Sequence, residues 1–165
     1  KLASKEYAAW IRGRTSSART HPPSFYGLAS FKAEKGGTTH FSVIDRAGNA
    51  VSCSLTINTQ FGSKVLVPGT GVILNNEMDD FSIQPGAPNV YKLVGDEANS
   101  IQPKKRPLSS MAPTIILQGE RPVLIVGASG GPRIISATLQ TIVNVLDFRI
   151  PLKKAIAAPR IHHQW

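Results

Sequence analysis

The chain has 165 residues, 41% of them hydrophobic and 18% charged, which is enough for one domain with a hydrophobic core and too apolar for a disordered chain. The net charge of +9 invites a nucleic-acid role, but seven Lys and Arg face two acids in residues 1–37 and twelve face eight in residues 38–165, and the one basic triplet, Lys104-Lys105-Arg106, runs straight into Pro107 as a loop does. No zinc-ligand spacing, basic helix or aromatic RNA-binding signature accompanies the charge, no apolar stretch reaches membrane-spanning length, and the single Cys53 closes no internal disulfide.

In chain order, Ser4 can cap a short helix running to about Arg14, with Tyr7, Trp10 and Ile11 on one side. Thr15–Gly37 turns polar and rich in Ser, Pro and Gly, including His21-Pro22-Pro23, and reads as an extended connection and a boundary. Thr38–Asp45 and Ala50–Ile57 alternate around the turn Arg46-Ala47-Gly48-Asn49, which predicts a β-hairpin. Its alternation places Val51, Cys53 and Leu55 on one face, with Cys53 as a small buried hydrophobe. Val65–Val67 and Gly71–Leu74 suggest further short strands, and Pro85–Pro103 an irregular segment carrying a binding surface. Thr114–Leu117 and Pro122–Val126 form a second hairpin. Pro132 to about Phe148 has helical spacing through Ile134, Ile135, Leu139, Ile142, Val143, Val145 and Leu146, and Leu152–Ala158 predicts a shorter helix. Strands followed by helices point to an antiparallel α+β arrangement.

Five places carry chemistry. Gly36-Gly37-Thr38 joins a polar segment to the start of a strand. If the Gly37–Thr38 bond were cut, Thr38 would hold a hydroxyl beside a free α-amine, whose ordinary pKa of about 7.7–8.0 suits a general base. Thr56-Ile57-Asn58 closes the second strand, where Thr56 can bond the nucleophile and Asn58 can face substrate; both also suit an ordinary strand end. Asn75-Asn76-Glu77-Met78-Asp79-Asp80-Phe81 gathers three carboxylates without histidine or calcium-loop spacing. This suits an ammonium group better than a metal, and a solvated acidic turn equally well. Ser109-Ser110 after Arg106-Pro107-Leu108 could donate to a carboxylate, although serines commonly form turns. Gly127-Ala128-Ser129-Gly130-Gly131-Pro132-Arg133 fits neither nucleotide-binding glycine pattern. It fits an oxyanion hole at a helix N-terminus, or simply a tight strand-to-helix turn. His162 and His163 read as packing or polar surface residues rather than members of a serine-type triad.

Taken in order, Thr38-Thr39-His40-Phe41-Ser42-Val43, Leu74–Phe81, Lys105–Met111, Gly130-Gly131 and the closing Ala158–Trp165 resemble the small-subunit region of the γ-glutamyltransferase (glutathione hydrolase) family of N-terminal-nucleophile hydrolases. Residues 1–37 are similar to the tail of that family's large subunit and its linker to the processing site, and residues 38–165 to the small-subunit catalytic core. The resemblance implies an α+β fold of the layered αββα sandwich type, partial because the C-terminus is expected to be truncated. It implies autocleavage at Gly37–Thr38, then transfer or hydrolysis of γ-glutamyl groups from glutathione and related compounds through a threonine acyl-enzyme.

Residue by residue, it implies Thr38 as nucleophile with Thr56 bonding it, and Asn58, Glu77 and Asp80 on the substrate α-amino group. Ser109 and Ser110 would take the α-carboxylate, and the Gly130 and Gly131 N–H groups the oxyanion. It implies no cofactor, no metal and no nucleic acid. The partners would be the large subunit of the same precursor and acceptor amino acids, peptides or water, at a periplasmic, cell-surface or secreted location. The isolated chain is expected to be inactive, because the family's substrate-carboxylate arginine lies on the large subunit. A related amidase acting on antibiotic acyl groups or poly-γ-glutamate, or a non-catalytic fragment or binding module, are the alternatives.

Overall fold

A computed structural model of the chain describes residues 4–14 and 37–163. The connection expected over Thr15–Gly37 therefore lies outside the described residues except for Gly37, as do Gln164 and Trp165 of the closing motif. The chain divides into two compact units, residues 1–34 and 35–165. In the first, α1 (Lys5–Arg14) places the Arg14 guanidinium over the Trp10 ring, 4.6 Å from its centroid, at the i, i+4 spacing that makes helical side chains neighbours.

The second unit opens with β1 (Thr38–Ile44) and β2 (Ala50–Thr56), paired antiparallel without a slip from Thr38↔Thr56 to Ile44↔Ala50. The turn is locked by Asp45, whose carboxylate accepts from the backbone N–H of Asn49 at 2.9 Å and from its side-chain amide at 2.7 Å. These bonds, the side-chain one foremost, hold the Asp45 carboxyl below its ordinary pKa. Period-2 alternation puts Thr38, His40, Ser42, Ser52, Ser54 and Thr56 on one face and Phe41, Val43, Val51, Cys53 and Leu55 on the other.

The expectation of Cys53 as a small buried hydrophobe is corrected. Val51 and Leu55 are exposed, and Cys53 is only half-buried. It is the polar face that meets the second hairpin: the Ser42 and Ser52 hydroxyls donate to the Ile125 and Val126 carbonyls, both at 3.3 Å. Serines are small enough for backbones to approach that closely, and Val or Leu in their places are not.

β3 (Thr114–Gln118) and β4 (Arg121–Val126) form that second hairpin, its two-residue connection using Gly119 at φ 61°. The register shifts between Ile116 and Leu117, where Pro122, lacking an N–H, lies opposite Leu117. Next come α2 (Arg133–Leu146), which packs on β4, and α3 (Leu152–Ala157), which packs on α2. Arg149, at φ 54°, separates the two helices.

The core runs through Leu124, Val126, Ile134 and Ala155. Ile134 is 1% exposed, a burial worth about 1.5–3 kcal/mol over an exposed side chain. The apolar face expected for α2 is split: Ile134 points inward with Thr138 and Thr141, whereas Ile135 and Leu139 are exposed.

Residues 57–113 contain almost no ladder. The strands expected at Val65–Val67 and Gly71–Leu74 shrink to one bridge, Leu66↔Ile73, flanked by Val67 N–H to Val72 O (2.8 Å) and Leu74 N–H to Val65 O (2.9 Å). Positive φ at Phe61, Lys64, Gly69 and Gly71 interrupts the extended conformation that a longer ladder requires. Pro85–Pro103 is irregular as expected, with a single 3₁₀ turn at Glu97–Asn99.

Candidate active site

The site begins at the open end of the first hairpin. Thr38 opens β1 and Thr56 closes β2, so their pairing sets the two hydroxyls side by side, 3.0 Å apart, with Thr38 donating to Thr56. The Thr56 oxygen also accepts the Asn58 N–H at 2.8 Å, which fixes its position. The chain is continuous through Gly37, which extends the pairing by one step: its N–H donates to Asn58 O at 3.0 Å and its carbonyl accepts from Ile57 N–H at 3.4 Å. A side chain at Gly37 would begin 2.5 Å from the Thr59 carbonyl oxygen, so glycine lets the residue ahead of Thr38 lie against this turn.

Asn58 is 5% exposed and left-handed, at φ 71°. Its carbonyl receives the Tyr91 hydroxyl at 2.9 Å as well as Gly37, and its side-chain amide donates to Asn76 O at 3.1 Å. Asn76 returns the link, its side-chain oxygen accepting both the N–H (3.1 Å) and the hydroxyl (2.9 Å) of Thr59. The end of β2 is thereby tied to the start of the acidic segment.

That segment is a 3₁₀ turn, Glu77–Asp80, rather than an open loop. In a 3₁₀ turn side chains at i and i+3 eclipse, which brings Glu77 and Asp80 together and sends Asp79 elsewhere. Asp79 accepts the Val90 N–H at 3.1 Å and braces the neighbouring loop. Burial, then the hydrogen bond and charge of Asp80, raise the Glu77 pKa to about 7. Burial also raises that of Asp80, assisted by the Asp79 charge and opposed by the hydrogen bond with Glu77. Tyr91, beside them, is raised by burial and by the same carboxylates. Glu77 Oε1 is buried and, among the described residues, has no hydrogen-bond partner. Two crowded carboxyls with an unspent oxygen make a receptor for a cation small enough to enter.

Asn99 delivers the serines. Its amide donates to Asp80 O at 2.7 Å while its oxygen accepts the Leu108 N–H at 3.0 Å, so Leu108–Met111 runs beside the carboxyl pair. Ser109 also accepts the Met111 N–H at 3.2 Å. Gly131 stands ahead of α2 at φ 59°, and a side chain there would press to 2.8 Å from the Tyr91 ring.

Thr38, Thr56, Asn58, Glu77, Asp80, Ser109, Ser110 and Gly131 line one cleft. Gly130, at φ 128°, is the one candidate residue not among its lining. The cleft also takes in Met111, from the Lys105–Met111 motif, Ile134, expected on the apolar face of α2, and Tyr91 and Leu93, which the sequence did not single out. Tyr91 and Leu93 fall in the irregular segment read as a binding surface, the only signal for them. The remote His162 bonds Ser136 at 2.8 Å on the surface.

Comparison with known proteins places the chain in a family. The family model for gamma-glutamyltranspeptidase covers residues 1–165. The chain is 46% identical over 164 residues to the glutathione hydrolase proenzyme of Pseudomonas sp. (strain A14), and 45% identical over 167 residues to that of Escherichia coli (strain K12). Each match takes in 99% of the chain and 28% of the relative, so the chain spans little more than a quarter of their length. A solved mutant of Helicobacter pylori gamma-glutamyltranspeptidase is 56% identical with a TM-score of 0.75, over 77% of this chain and 68% of that one. The two hairpins and the helices packed on them thus belong to the N-terminal-nucleophile hydrolase fold of those enzymes. With its whole length matched and its hydroxyl pair opening on a carboxyl-lined cleft, the chain belongs to the gamma-glutamyltranspeptidase family.

Proposed function

We propose that this chain is the catalytic core of a proenzyme that cuts itself at Gly37–Thr38 and then transfers or hydrolyses γ-glutamyl groups through an acyl-threonine. The observation that carries the reading is the Thr38–Thr56 hydroxyl pair at 3.0 Å, facing a cleft walled by Glu77 and Asp80 with Ser109 and Ser110 alongside. That combination fits an acyl donor with a free amino-acid head. The names of the relatives support glutathione as such a donor, and a large subunit from the same precursor as the partner.

In self-cleavage the Thr38 hydroxyl oxygen attacks the Gly37 carbonyl carbon. The C–N bond breaks, its electron pair stays on the Thr38 nitrogen, which takes up the hydroxyl proton, and an ester joins the two residues. Water hydrolyses the ester, leaving a Gly37 carboxylate and a Thr38 with free hydroxyl and free amine. The amine then serves as the base for each turnover, near its own ordinary pKa.

With substrate bound, Glu77, Asp80 and Asn58 hold the α-ammonium, and Ser109 and Ser110 donate to the α-carboxylate. Once the Thr38 hydroxyl turns its proton from Thr56 to the amine, the Thr56 hydroxyl donates to the attacking oxygen. The N–H groups of Gly130 and Gly131, at the N-terminus of α2, meet the oxyanion, where one donor is worth about 2.7–4 kcal/mol in comparable sites. The leaving amine departs protonated, and an acceptor amine or water takes the acyl group.

The test is expression of the full-length proenzyme carrying this chain, followed by intact mass and release of a chromogenic amine from a γ-glutamyl anilide. Two fragments with a new N-terminus at Thr38, and turnover lost in Thr38→Ala, are expected. A single uncut chain without turnover would leave a non-catalytic protein.

A further inference from the structure

We propose that His40 is a positioning residue that holds the Gly127–Gly131 turn at a fixed distance from the nucleophile strand. The inference rests on the reading of Thr38 and the turn glycines given above. His40 lies two residues after Thr38, on the same face of β1. Its ring is held at both nitrogens: Nδ1 is 2.9 Å from the Ser54 hydroxyl and Nε2 is 3.2 Å from the Ser42 hydroxyl. Ser42 gives its one proton to the Ile125 carbonyl, so Nε2–H donates to Ser42 and Nδ1 accepts from Ser54. The ring is thus fastened to β2 through Ser54 and to β4 through Ser42.

Against this ring sits Gly127, the first residue after β4 and the start of the turn that ends at Gly131. A methyl group placed on Gly127 would overlap the His40 ring atoms. Gly127 is not among the glycines with positive φ, so its backbone conformation does not call for glycine. Gly69 and Gly71 are the reverse case, with positive φ and open space around the missing side chain. What requires glycine at 127 is the imidazole, and a ring bonded at both nitrogens does not swing aside readily. The nucleophile strand and the oxyanion turn therefore share one spacer, on which the distance between Thr38 and the turn amides depends.

The experiment is a double-mutant cycle in the full-length proenzyme: Gly127→Ala, His40→Ala and the pair, assayed with a γ-glutamyl anilide. An oxyanion contact acts in the transition state, so displacing the turn lowers kcat and spares KM. Gly127→Ala is expected to lower kcat roughly 10- to 100-fold with KM within about threefold. In the His40→Ala background, where the ring is gone, the same methyl group should cost less than about threefold. Ser54→Ala, which frees one side of the ring, should give an intermediate penalty. Hydrogen exchange at the Gly130 and Gly131 amides should be faster in His40→Ala than in the parent. Equal penalties for Gly127→Ala in both backgrounds, with exchange unchanged, would overturn the proposal. If the proenzyme shows no γ-glutamyl turnover, the functional reading falls on its own, and hydrogen exchange still decides the role of His40.

Discussion

The first hairpin and the irregular stretch between residues 57 and 113 build the two halves of one cleft by different means. The hairpin sets Thr38 beside Thr56 through seven consecutive backbone-paired positions and a turn locked by Asp45 and Asn49. The irregular stretch has no such ladder. Much of its geometry comes from asparagines that bond backbone groups nine to nineteen positions away: Asn58 to residue 76, Asn76 to Thr59, Asn89 to Asp79, and Asn99 to both Asp80 and Leu108. An asparagine side chain carries both an acceptor and a donor, so it can stand in for a missing backbone partner in either sense. The Thr38 half is therefore held by one continuous ladder, and the carboxyl half by scattered bridges, backbone bonds and asparagine links. Damage to the second should appear in substrate binding before it appears in folding.

The sharpest break comes from Thr38→Ala in the full-length proenzyme. Removing the nucleophile should abolish self-cleavage and lower γ-glutamyl turnover by about 10⁴-fold or more while leaving the hairpin folded. Gel analysis and anilide hydrolysis read both effects, and normal cleavage in the variant would end the assignment of Thr38. Asp80→Ala should come next. Losing the carboxylate leaves a bound ammonium short of its partner, a loss of about 2–5 kcal/mol, or roughly 30- to several thousand-fold in kcat/KM. Self-cleavage needs no ammonium contact and should persist. A substrate lacking the α-amino group should be spared, and equal losses with and without that group would make Asp80 purely structural.

Asn99→Ala tests how far the carboxyl half depends on one of these asparagine links. Loss of the Asp80-to-Leu108 link should raise KM about tenfold, with kcat and thermal stability changed far less, since a neutral hydrogen bond is worth about 0.5–1.5 kcal/mol net. A variant that lost stability instead would show that the asparagines support the fold and not the site. The smallest effect concerns pH. With its pKa raised from 4.5 to about 7, Glu77 is protonated in the folded protein over a range where the unfolded chain is ionised. Its contribution to stability is therefore full below about 4.5 and lost as pH rises through about 7. A cationic substrate prefers the ionised pair, so KM should fall severalfold as pH rises through about 7. Glu77→Gln should flatten that profile and lose less stability than the parent on going to pH 8. A KM profile identical in parent and variant would remove Glu77 from the ammonium subsite.

The amino-acid sequence by itself determined the elements and their local order. Period-2 alternation around Arg46-Ala47-Gly48-Asn49 and across Gln118–Arg121 named both hairpins, and the 3.6-residue spacing after Pro132 named α2 within two residues of its ends. Those signals are local, because a ladder or a helical turn relates residues a few positions apart. Motif order also made Thr38, the carboxyls and the serines legible as parts of one site. The tertiary structure alone decided which face of β1 and β2 turns inward, because alternation marks two faces without saying which is covered. Packing chose the one whose serines could reach the β4 carbonyls. It also decided the roles of Asn76, Asn99, Tyr91 and His40. The bonds of Asn99 to Leu108, Asn76 to Thr59 and Tyr91 to Asn58, and the contact of His40 with Gly127, cross 9 to 87 positions of chain and depend on where other segments fold, a relation that no local pattern encodes.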